Sequence, residues 1–304
     1  MSLDGMALVS GFLAASVRVA TPLLLAALGE TVAERGGVIN LGIEGAMLAG
    51  ALAAAIGASI GGPWTGLAAA LIVGVLTGLV FAAVAVGAGA DQIITGTAIT
   101  LGATGLTGAV YRAYFGATGA GLSLPTLAPI PLPGLSRIPV VGPALFDQPL
   151  PTYLAVVLVP VIWWGLFRTR AGLALRAAGE APETAWALGV RVRSLRTIGT
   201  VIGGACAGLG GASLVLAQVG TFAERMTAGR GFVAIAIVVL GRWHPVGVLL
   251  AAWLFGGATA LQFIFQALGL AVPYQLFLVL PYLLTLLALA GVVGRVRAPA
   301  GLGQ

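Results

Sequence analysis

The sequence predicts an all-α protein, a polytopic bundle of about nine transmembrane helices with eight to ten as the range. Of its 304 residues, 59% are hydrophobic and 8% are charged, and the mean hydropathy is +1.08. A chain of this composition cannot cover a water-facing surface with polar side chains. Its apolar residues fall in runs of about 20, the length that a helix needs to cross a bilayer. We therefore expect one transmembrane domain over residues 1–304.

Nine apolar runs define the expected crossings. They lie at 6–28, 41–60, 64–87, 93–111, 151–167, 198–219, 230–242, 245–268 and 272–293. The first run lacks a basic segment before it and a small-residue cleavage site after it, so we expect a retained helix. The run 230–242 is short for a full crossing. We expect a broken or tilted piece there, covered by protein or by a water-filled cavity.

The arginines predict the orientation of the bundle. All fifteen basic residues are arginine, and six of them lie in one loop: Arg168, Arg170, Arg176, Arg191, Arg193 and Arg196. Because cytoplasmic loops hold the positive excess, we expect this loop and the C-terminus in the cytoplasm. Counting back five crossings puts the N-terminus outside and makes residues 112–150 a proline-rich external loop.

Composition also excludes several kinds of chemistry. Without lysine, the chain cannot form a lysine Schiff base or complete a GxxxxGK[ST] phosphate-binding loop, so any ATP must be hydrolysed by another chain. One cysteine and one histidine are too few for a disulfide framework or a zinc site, and we expect no metal and no catalytic residue. The arginines lie at the ends of apolar runs, which favours membrane orientation over nucleic-acid binding.

A polar loop within 168–197 contains a predicted short helix. Pro182 suits the first helical position, Glu183 the positive end of the helix dipole, and Gly189 the left-handed residue that ends a helix, so we expect a helix over 182–188. Two turns are marginal alone in water, and such a helix fits best between its own bundle and a partner.

Two interpretations of this loop remain open on composition alone. Trp186 and Leu188 can be apolar anchors for a partner, with charged residues around them. Alternatively, the loop is only a basic orientation signal, with Trp186 as an aromatic anchor at the membrane interface.

Four stretches together resemble one family over nearly the whole chain. They are TPLLLAALGETVAERGGVINLGIEGAMLAGA (21–51), DQIITGTAITLGATGLTG (91–108), GLALRAAGEAPETAWALGVRVRS (172–194) and GFVAIAIVVLGRWHPVGVLLAAWLFGGATALQ (231–262). They resemble ABC importer permeases for simple sugars and nucleosides, the nucleoside type most closely. The family pattern leads us to expect asparagine where Thr100 stands. In that family the short loop helix, the coupling helix, sits in a groove of the ATPase subunit.

The resemblance implies a transport subunit without enzymatic activity, in the plasma (inner) membrane of a prokaryote. Its implied partners are an ABC ATPase dimer that holds ATP and Mg²⁺, a second permease chain that is often non-identical, and an extracytoplasmic solute-binding lipoprotein. No cofactor is expected in this chain. The residues expected to face the ATPase are Glu183, Trp186, Leu188 and Gly189. Closure of the ATPase dimer would drive alternating access through the coupling helix.

A neutral solute rich in hydroxyl groups requires uncharged hydrogen-bonding side chains along its path. The candidates are Asn40, Glu44, Gln92, Thr95, Thr97, Thr100, Gln218, Phe222 and Gln262, with Gln266 beside the last. Such residues also bond helices to one another, and that alternative remains open. The run 40–45 is typical of a discontinuous helix near a midplane site, or else of a turn followed by a glycine-rich packing helix.

Arg18 lies inside the first predicted crossing. An arginine at a helix centre costs on the order of 3 kcal/mol on insertion scales, so we expect an acidic partner, Glu44 first and Asp91 second. The alternatives are a solute contact and a side chain that reaches the interface.

The alternative function is an ion-coupled secondary transporter of a small polar solute. Glu44 and Asp91 are the only acids expected near the membrane interior, which argues against it. A channel and an intramembrane enzyme are disfavoured because no filter-like segment, histidine pair or Ser-His arrangement is evident. Trp243 is expected to anchor at the interface, and His244 to be an interface residue and not a proton relay.

Overall fold

The computed structural model describes residues 3–116, 123–267, 279, 283 and 298–303, without the side chains of 3–8 and 263–267. Its helices are α1 (Leu3–Arg35), α2 (Ile43–Gly61), α3 (Pro63–Phe81), α4 (Gln92–Phe115), α5 (Val141–Phe146), α6 (Leu150–Arg168), α7 (Arg170–Glu180), α8 (Pro182–Ala187), α9 (Val192–Leu214), α10 (Arg230–Leu240) and α11 (Pro245–Ala267). One antiparallel pair, β1 (Ile130–Pro131) with β2 (Asp147–Gln148), folds the loop before α6. The all-α prediction is confirmed.

Within these described residues, seven helices are long and apolar enough to cross a membrane. They are Val9–Arg35, Ile43–Gly61, Pro63–Gly87, Gln92–Phe115, Leu150–Arg168, Val192–Val219 and Pro245–Gln262. Each matches a predicted crossing, with shifted bounds. The first of these helices extends to Arg35, seven residues beyond the predicted end. Apart from residues 279 and 283, the predicted crossing at 272–293 lies outside the described residues.

The run predicted to cross at 230–242 contains one short continuous helix, α10, so it is too short for a full crossing, as expected, while a tilt or break stays a prediction. After α9 the chain makes a π-helical turn over Val215–Val219, continues through 220–229, and enters the 11-residue helix α10. The run 40–45 does not have the predicted discontinuous-helix form. It spans the end of a buried turn, residues 36–42, and the start of α2, so the alternative of a turn before a packing helix is correct.

Helix α9 lies at the centre and packs against α1, α2 and α3. Close approach depends on glycine where α2 crosses α9, since a Cβ added to Gly50 would lie 2.5 Å from the Cα of Gly208. Small residues at such crossings allow the dispersion contacts that hold membrane helices together. The larger core side chains, including Leu28, Met47 and Phe255, fill the space among α1, α2 and α11.

The polar loop forms two helices where the sequence predicted one. Helix α8 matches the predicted helix over 182–188, whereas α7 was missed. Helix α7 buries Leu175 and Ala178 against the bundle and leaves Arg170 largely in solvent. Together α7 and α8 form a platform at one end of the bundle, here named the α8 end, which also contains the turn 36–42.

Candidate functional site

Helix α8 presents apolar side chains away from the bundle. Ala185 is 3% exposed and fixes the helix, whereas Trp186 is 74% exposed and Leu188 is 79% exposed. The helix closes with bonds from Gly189 N to Trp186 O (2.9 Å) and from Val190 N to Ala185 O (3.0 Å). Gly189 has φ +84°, which a side chain would strain. The predicted docking residues therefore form one exposed surface.

Charged side chains surround this surface. A cleft of about 220 Å³ runs beside Trp186 and is lined by Arg191, Val192 and Arg193. Both arginines are exposed and, within the described residues, neither is in an ion pair. Glu183 is exposed on the first turn of α8. An apolar centre with a charged rim is the usual composition of a protein-binding surface.

Helix α4 has a polar face that opens away from the other described helices. Thr97 is exposed and Thr100 and Thr104 are half-buried, at spacings of three and four residues that place them on one side of the helix. Beyond them a recess of about 340 Å³ is lined partly by Thr104, Gly105 and Leu101. A Cβ added to Gly105 would meet nothing within 4 Å. Within the described residues, this face therefore has only one wall.

An ion pair stands at the far end of this recess. Arg112 Nη1 donates to Glu224 Oε1 at 2.6 Å, and both side chains are about half exposed. Arg112 lies in the last turn of α4, whereas the predicted crossing ended at 111. The sequence analysis did not include this pair in the candidate path.

The threonine hydroxyls on this face of α4 donate hydrogen bonds to backbone carbonyl groups of the same chain. Thr97 Oγ1 donates to Ile93 O at 2.7 Å, and Thr104 Oγ1 donates to Thr100 O at 2.8 Å. Thr100 Oγ1 donates to Leu41 O at 3.2 Å and so bonds α4 to the turn 36–42. A hydroxyl oxygen that donates once still has lone pairs. This face can therefore accept hydrogen bonds from a solute hydroxyl without losing its own.

Gln92 and Asn40 hold the turn 36–42 in place. Gln92 Oε1 accepts from Ile39 N at 2.7 Å. Asn40 Oδ1 accepts from Gly42 N at 2.9 Å, and Asn40 N donates to Glu30 Oε1 at 2.8 Å. Asn40 is 2% exposed. In this conformation both side chains organise the entry into α2 and α4.

Glu44 bonds α2 to α10 and not to Arg18. Its Oε1 accepts from Thr227 Oγ1 (2.6 Å) and Gly229 N (2.9 Å), and its Oε2 accepts from Gly231 N (2.6 Å). A carboxylate at the N-terminus of a helix satisfies unpaired N–H groups and complements the helix dipole. The predicted ion pair between Arg18 and Glu44 is therefore wrong.

The second predicted partner of Arg18 is also engaged elsewhere. Asp91 Oδ1 accepts from Ile94 N at 2.8 Å and caps α4. Arg18 is exposed and has no ion pair within the described part of the chain. Its backbone oxygen accepts from Gln218 Nε2 at 2.7 Å, and both residues line a recess of about 210 Å³.

The remaining candidates do not share one cavity with α4's open face. Thr95 is 6% exposed, and its hydroxyl donates to Asp91 O at 2.7 Å. Phe222 is 2% exposed and packs against Tyr111 with ring centroids 5.1 Å apart, so its ring faces protein. Gln262 is half-buried on α11, and the side chain of Gln266 lies outside the description. Contact of any of these residues with solute stays a prediction.

Two buried acids were missed. Glu30 is 0% exposed and Glu34 is 2% exposed, one turn apart on α1. Glu34 accepts a hydrogen bond from Trp243 Nε1, so Trp243, 4% exposed, is not the predicted interfacial anchor. The predicted crossing ended at 28, which placed both acids in a loop. A longer window over the apolar run would have included them and marked them as intramembrane acids.

His244 lies between α10 and α11, beside this cluster. Burial lowers the pKa of its imidazole below the usual value, and the nearby positive charge of Arg35 lowers that pKa further. The ring packs against Phe167, with centroids 5.3 Å apart.

A family model described as the permease component of branched-chain amino acid transport systems matches residues 12–289. The chain belongs to this permease family. With its apolar helices, family membership makes it a multi-pass membrane protein and a transport subunit. The resemblance drawn from its motifs is confirmed.

Two named relatives match most or nearly all of this permease, and a third matches about a third of it. The guanosine ABC transporter permease protein NupQ of Bacillus subtilis is 37% identical over 99% of this chain and 98% of its own length. The putative glucose ABC transporter permease protein TsgC13 of Haloferax volcanii is 40% identical over 88% of this chain and 81% of its own. The guanosine ABC transporter permease protein NupP of Bacillus subtilis is 34% identical over 34% of this chain and 30% of its own. No solved structure matches the chain.

Proposed function

We propose that this permease is the transmembrane subunit of an ATP-binding-cassette importer for nucleosides or simple sugars, in the plasma membrane of a prokaryote. The observation that carries the proposal is the exposure of Trp186 and Leu188 on α8, in a chain of this permease family. An ABC ATPase dimer, with its own ATP and Mg²⁺, docks on α8. A second permease and an extracytoplasmic solute-binding lipoprotein complete the importer. The named relatives support a nucleoside or sugar as solute.

Burial of the apolar side chains of α8 against the ATPase is what would stabilise docking at this surface. Each large apolar side chain gains about 1.5–3 kcal/mol when it is fully removed from water, and tryptophan is enriched at the centres of interfaces. A six-residue helix is marginal alone, so contacts on both sides stabilise it. With the ATPase at the α8 end, that end is cytoplasmic and the described tail 298–303 lies in the cytoplasm. The N-terminus is then extracytoplasmic.

The open face of α4 supports a solute path. Its threonine oxygens accept hydrogen bonds, and it contains no charged group between Thr97 and Arg112, as a neutral solute requires. Because the described part of the chain supplies only one wall, the other wall comes from the second permease. NupQ and NupP, two permeases named for guanosine in one organism, support a non-identical second chain.

Loss of the α8 anchor tests the docking proposal. Trp186→Ala and Gly189→Pro, each co-expressed with its ATPase, should abolish co-purification of the ATPase and solute uptake while membrane insertion is retained. Trp164→Ala is the matched control, since Trp164 is 59% exposed on α6, away from α8. Normal co-purification with both α8 variants would contradict the proposal.

A second experiment addresses the solute path. Thr97→Val keeps the shape of the side chain and removes its hydroxyl, so the affinity for solute should fall while basal ATP turnover in the assembled importer stays unchanged. Thr65→Val is the control, because Thr65 is also exposed and also donates to the carbonyl four residues earlier. Equal transport constants for Thr97→Val and Thr65→Val would remove Thr97 from the path.

The buried acids favour one other candidate function. Glu30 and Glu34 lie inside the bundle, where proton- and sodium-coupled carriers place ionisable groups. The scarcity of such acids was the sequence argument against an ion-coupled secondary transporter, and it no longer holds. Purified permease alone in vesicles should not accumulate solute under a proton or sodium gradient. Accumulation without any ATPase would replace the importer proposal with this one.

A further inference from the structure

The C-terminal tail, residues 298–303, joins two segments that are distant in sequence. Gly301 N donates to Gly179 O at the end of α7, at 2.8 Å. Two residues later, Gly303 N donates to Gly37 O in the turn 36–42, at 3.2 Å. Pro299 and Gly301 are buried. The tail therefore connects the α7–α8 platform with the turn that leads into α2.

Arg196 of α9 reinforces this connection from a third side. Its Nε donates to Gly36 O at 3.1 Å, and its Nη2 donates to Gly301 O at 3.4 Å. One guanidinium thus bonds the turn and the tail together. Planar guanidinium groups hold such fixed, multiple hydrogen bonds better than lysine does.

No space is left between these segments for side chains. A Cβ added to Gly37, which has φ +90°, would lie 2.9 Å from Arg196 Nη2 and 3.0 Å from Gly301 O. A Cβ added to Gly301 would lie 2.8 Å from Gly179 O and 3.0 Å from Cδ of Pro182, the first residue of α8. Groups packed this closely move together, because the interior has no free volume to absorb a displacement.

The connection continues from the turn into α4. Ile39, two residues after Gly37, donates its N–H to Gln92, the first residue of α4. Further along, a Cβ added to Gly96 of α4 would lie 2.6 Å from Gly42 N. Contacts therefore run without a gap from α8 through the tail and the turn to the helix with the open polar face.

We propose that the C-terminal tail is a coupling element that transmits displacement of α8, through the turn 36–42, to α4. This inference rests on the proposed function, since it takes α8 as the ATPase dock and α4 as the wall of the solute path. Its physical basis is one continuous set of hydrogen bonds and glycine contacts, of the kind through which coupling between distant sites travels. The tail acts by positioning other elements and does not touch the solute.

Gly301→Val tests the tail directly. The valine collides with Gly179 O and Pro182, so it displaces the tail while the exposed surface of α8 keeps its residues. In the full importer reconstituted in vesicles, the ATPase should co-purify as with wild type. Solute transported per ATP hydrolysed should fall about tenfold, within the range of measured coupling between sites. Ala300→Val is the matched control, because Ala300 is exposed in the same tail.

A double-variant cycle tests the route beyond the tail. If the tail acts through the turn and Gln92, then Gly301→Val combined with Gln92→Ala should lower transport per ATP no further than the stronger single variant. Additive losses would show that the two act independently and would overturn the route.

Three outcomes overturn the coupling role. Unchanged transport per ATP in Gly301→Val shows that the tail transmits nothing. Loss of ATPase binding in that variant shows that the tail only shapes the dock. If neither Gly301→Val nor a chain truncated before residue 298 folds, as judged by size-exclusion chromatography, the tail is needed for folding and has no separate coupling role. The proposed function fails differently, when the wild-type permease binds no ATPase at all or binds it without need of Trp186.

Discussion

The Glu44 carboxylate should be a large single contributor to the stability of this bundle. It is 8% exposed and accepts three hydrogen bonds from the segment that begins α10, from Thr227, Gly229 and Gly231. The contact is close, since a Cβ added to Gly231 would lie 2.5 Å from the Cα of Glu44. Glu44→Gln keeps the shape of the side chain and removes the charge.

The expected loss follows from the geometry of the three bonds. The amide oxygen of glutamine can still accept from Thr227 and Gly229, as neutral bonds, but its NH₂ group then faces the N–H of Gly231. Hydrogen bonds to a charged group contribute about 1.5–3 kcal/mol and neutral ones about 1 kcal/mol. The charge at the helix N-terminus adds about 0.3–1 kcal/mol. At the lower end of these ranges, Glu44→Gln should therefore lower the free energy of unfolding by about 3 kcal/mol.

Chemical unfolding of the purified permease in detergent, followed by tryptophan fluorescence, measures this loss. Glu44→Ala leaves three buried donors unpaired, so it should cost more, about 5 kcal/mol. Glu183→Gln is the control, because Glu183 is exposed on α8 and its neutralisation should leave the isolated chain unaffected. If Glu44→Gln unfolds within about 0.5 kcal/mol of wild type, the carboxylate does not stabilise α10 and the reasoning fails.

Two further predictions concern pH and helix packing. Because burial and Arg35 lower the pKa of His244 below about 6.5, the unfolded chain binds more protons, and stability should fall as pH drops below about 6.5. The fall should be small because His244 is only partly buried. His244→Gln should remove it, and an unchanged fall in that variant, measured by unfolding midpoints, would exclude His244 as its origin. Gly211→Ala places a methyl group against the backbone oxygen of Met47 on α2 and should lower unfolding free energy by about 1–3 kcal/mol. Gly165→Ala, which meets no atom, should not, and equal stability of the two variants would contradict tight α2–α9 packing.

Short-range signals explain what could be predicted at the docking surface. Pro182 and Gly189 set the bounds of α8 because each acts on backbone conformation within a residue or two, and the structure has α8 at Pro182–Ala187. Helix α7 was missed because its arginines break the apolar run that marks a crossing, and its amphipathic pattern extends over only 11 residues. Burial of Leu175 against the bundle, which local sequence does not encode, stabilises it.

The partners of polar residues could not be predicted. The sequence analysis paired Glu44 with Arg18, yet the Glu44 carboxylate bonds to a segment more than 180 positions away in sequence. Glu34 and Trp243 are 209 positions apart and share a buried hydrogen bond. Both contacts depend on how helices that are distant in sequence pack together, and the hydropathy of each segment contains no information on that packing.

By itself, the sequence determined that this chain is a multi-pass membrane protein, where the seven crossings of its described residues lie, and that a short polar helix stands between two of them. It did so because the cost of placing backbone and charge in hydrocarbon acts on each segment separately. Tertiary structure alone decided which polar groups meet: the carboxylate of Glu44 with α10, and the tail with the turn 36–42. In a close-packed bundle each buried donor takes the acceptor that packing brings within about 3 Å, and only the assembled helices fix which one that is.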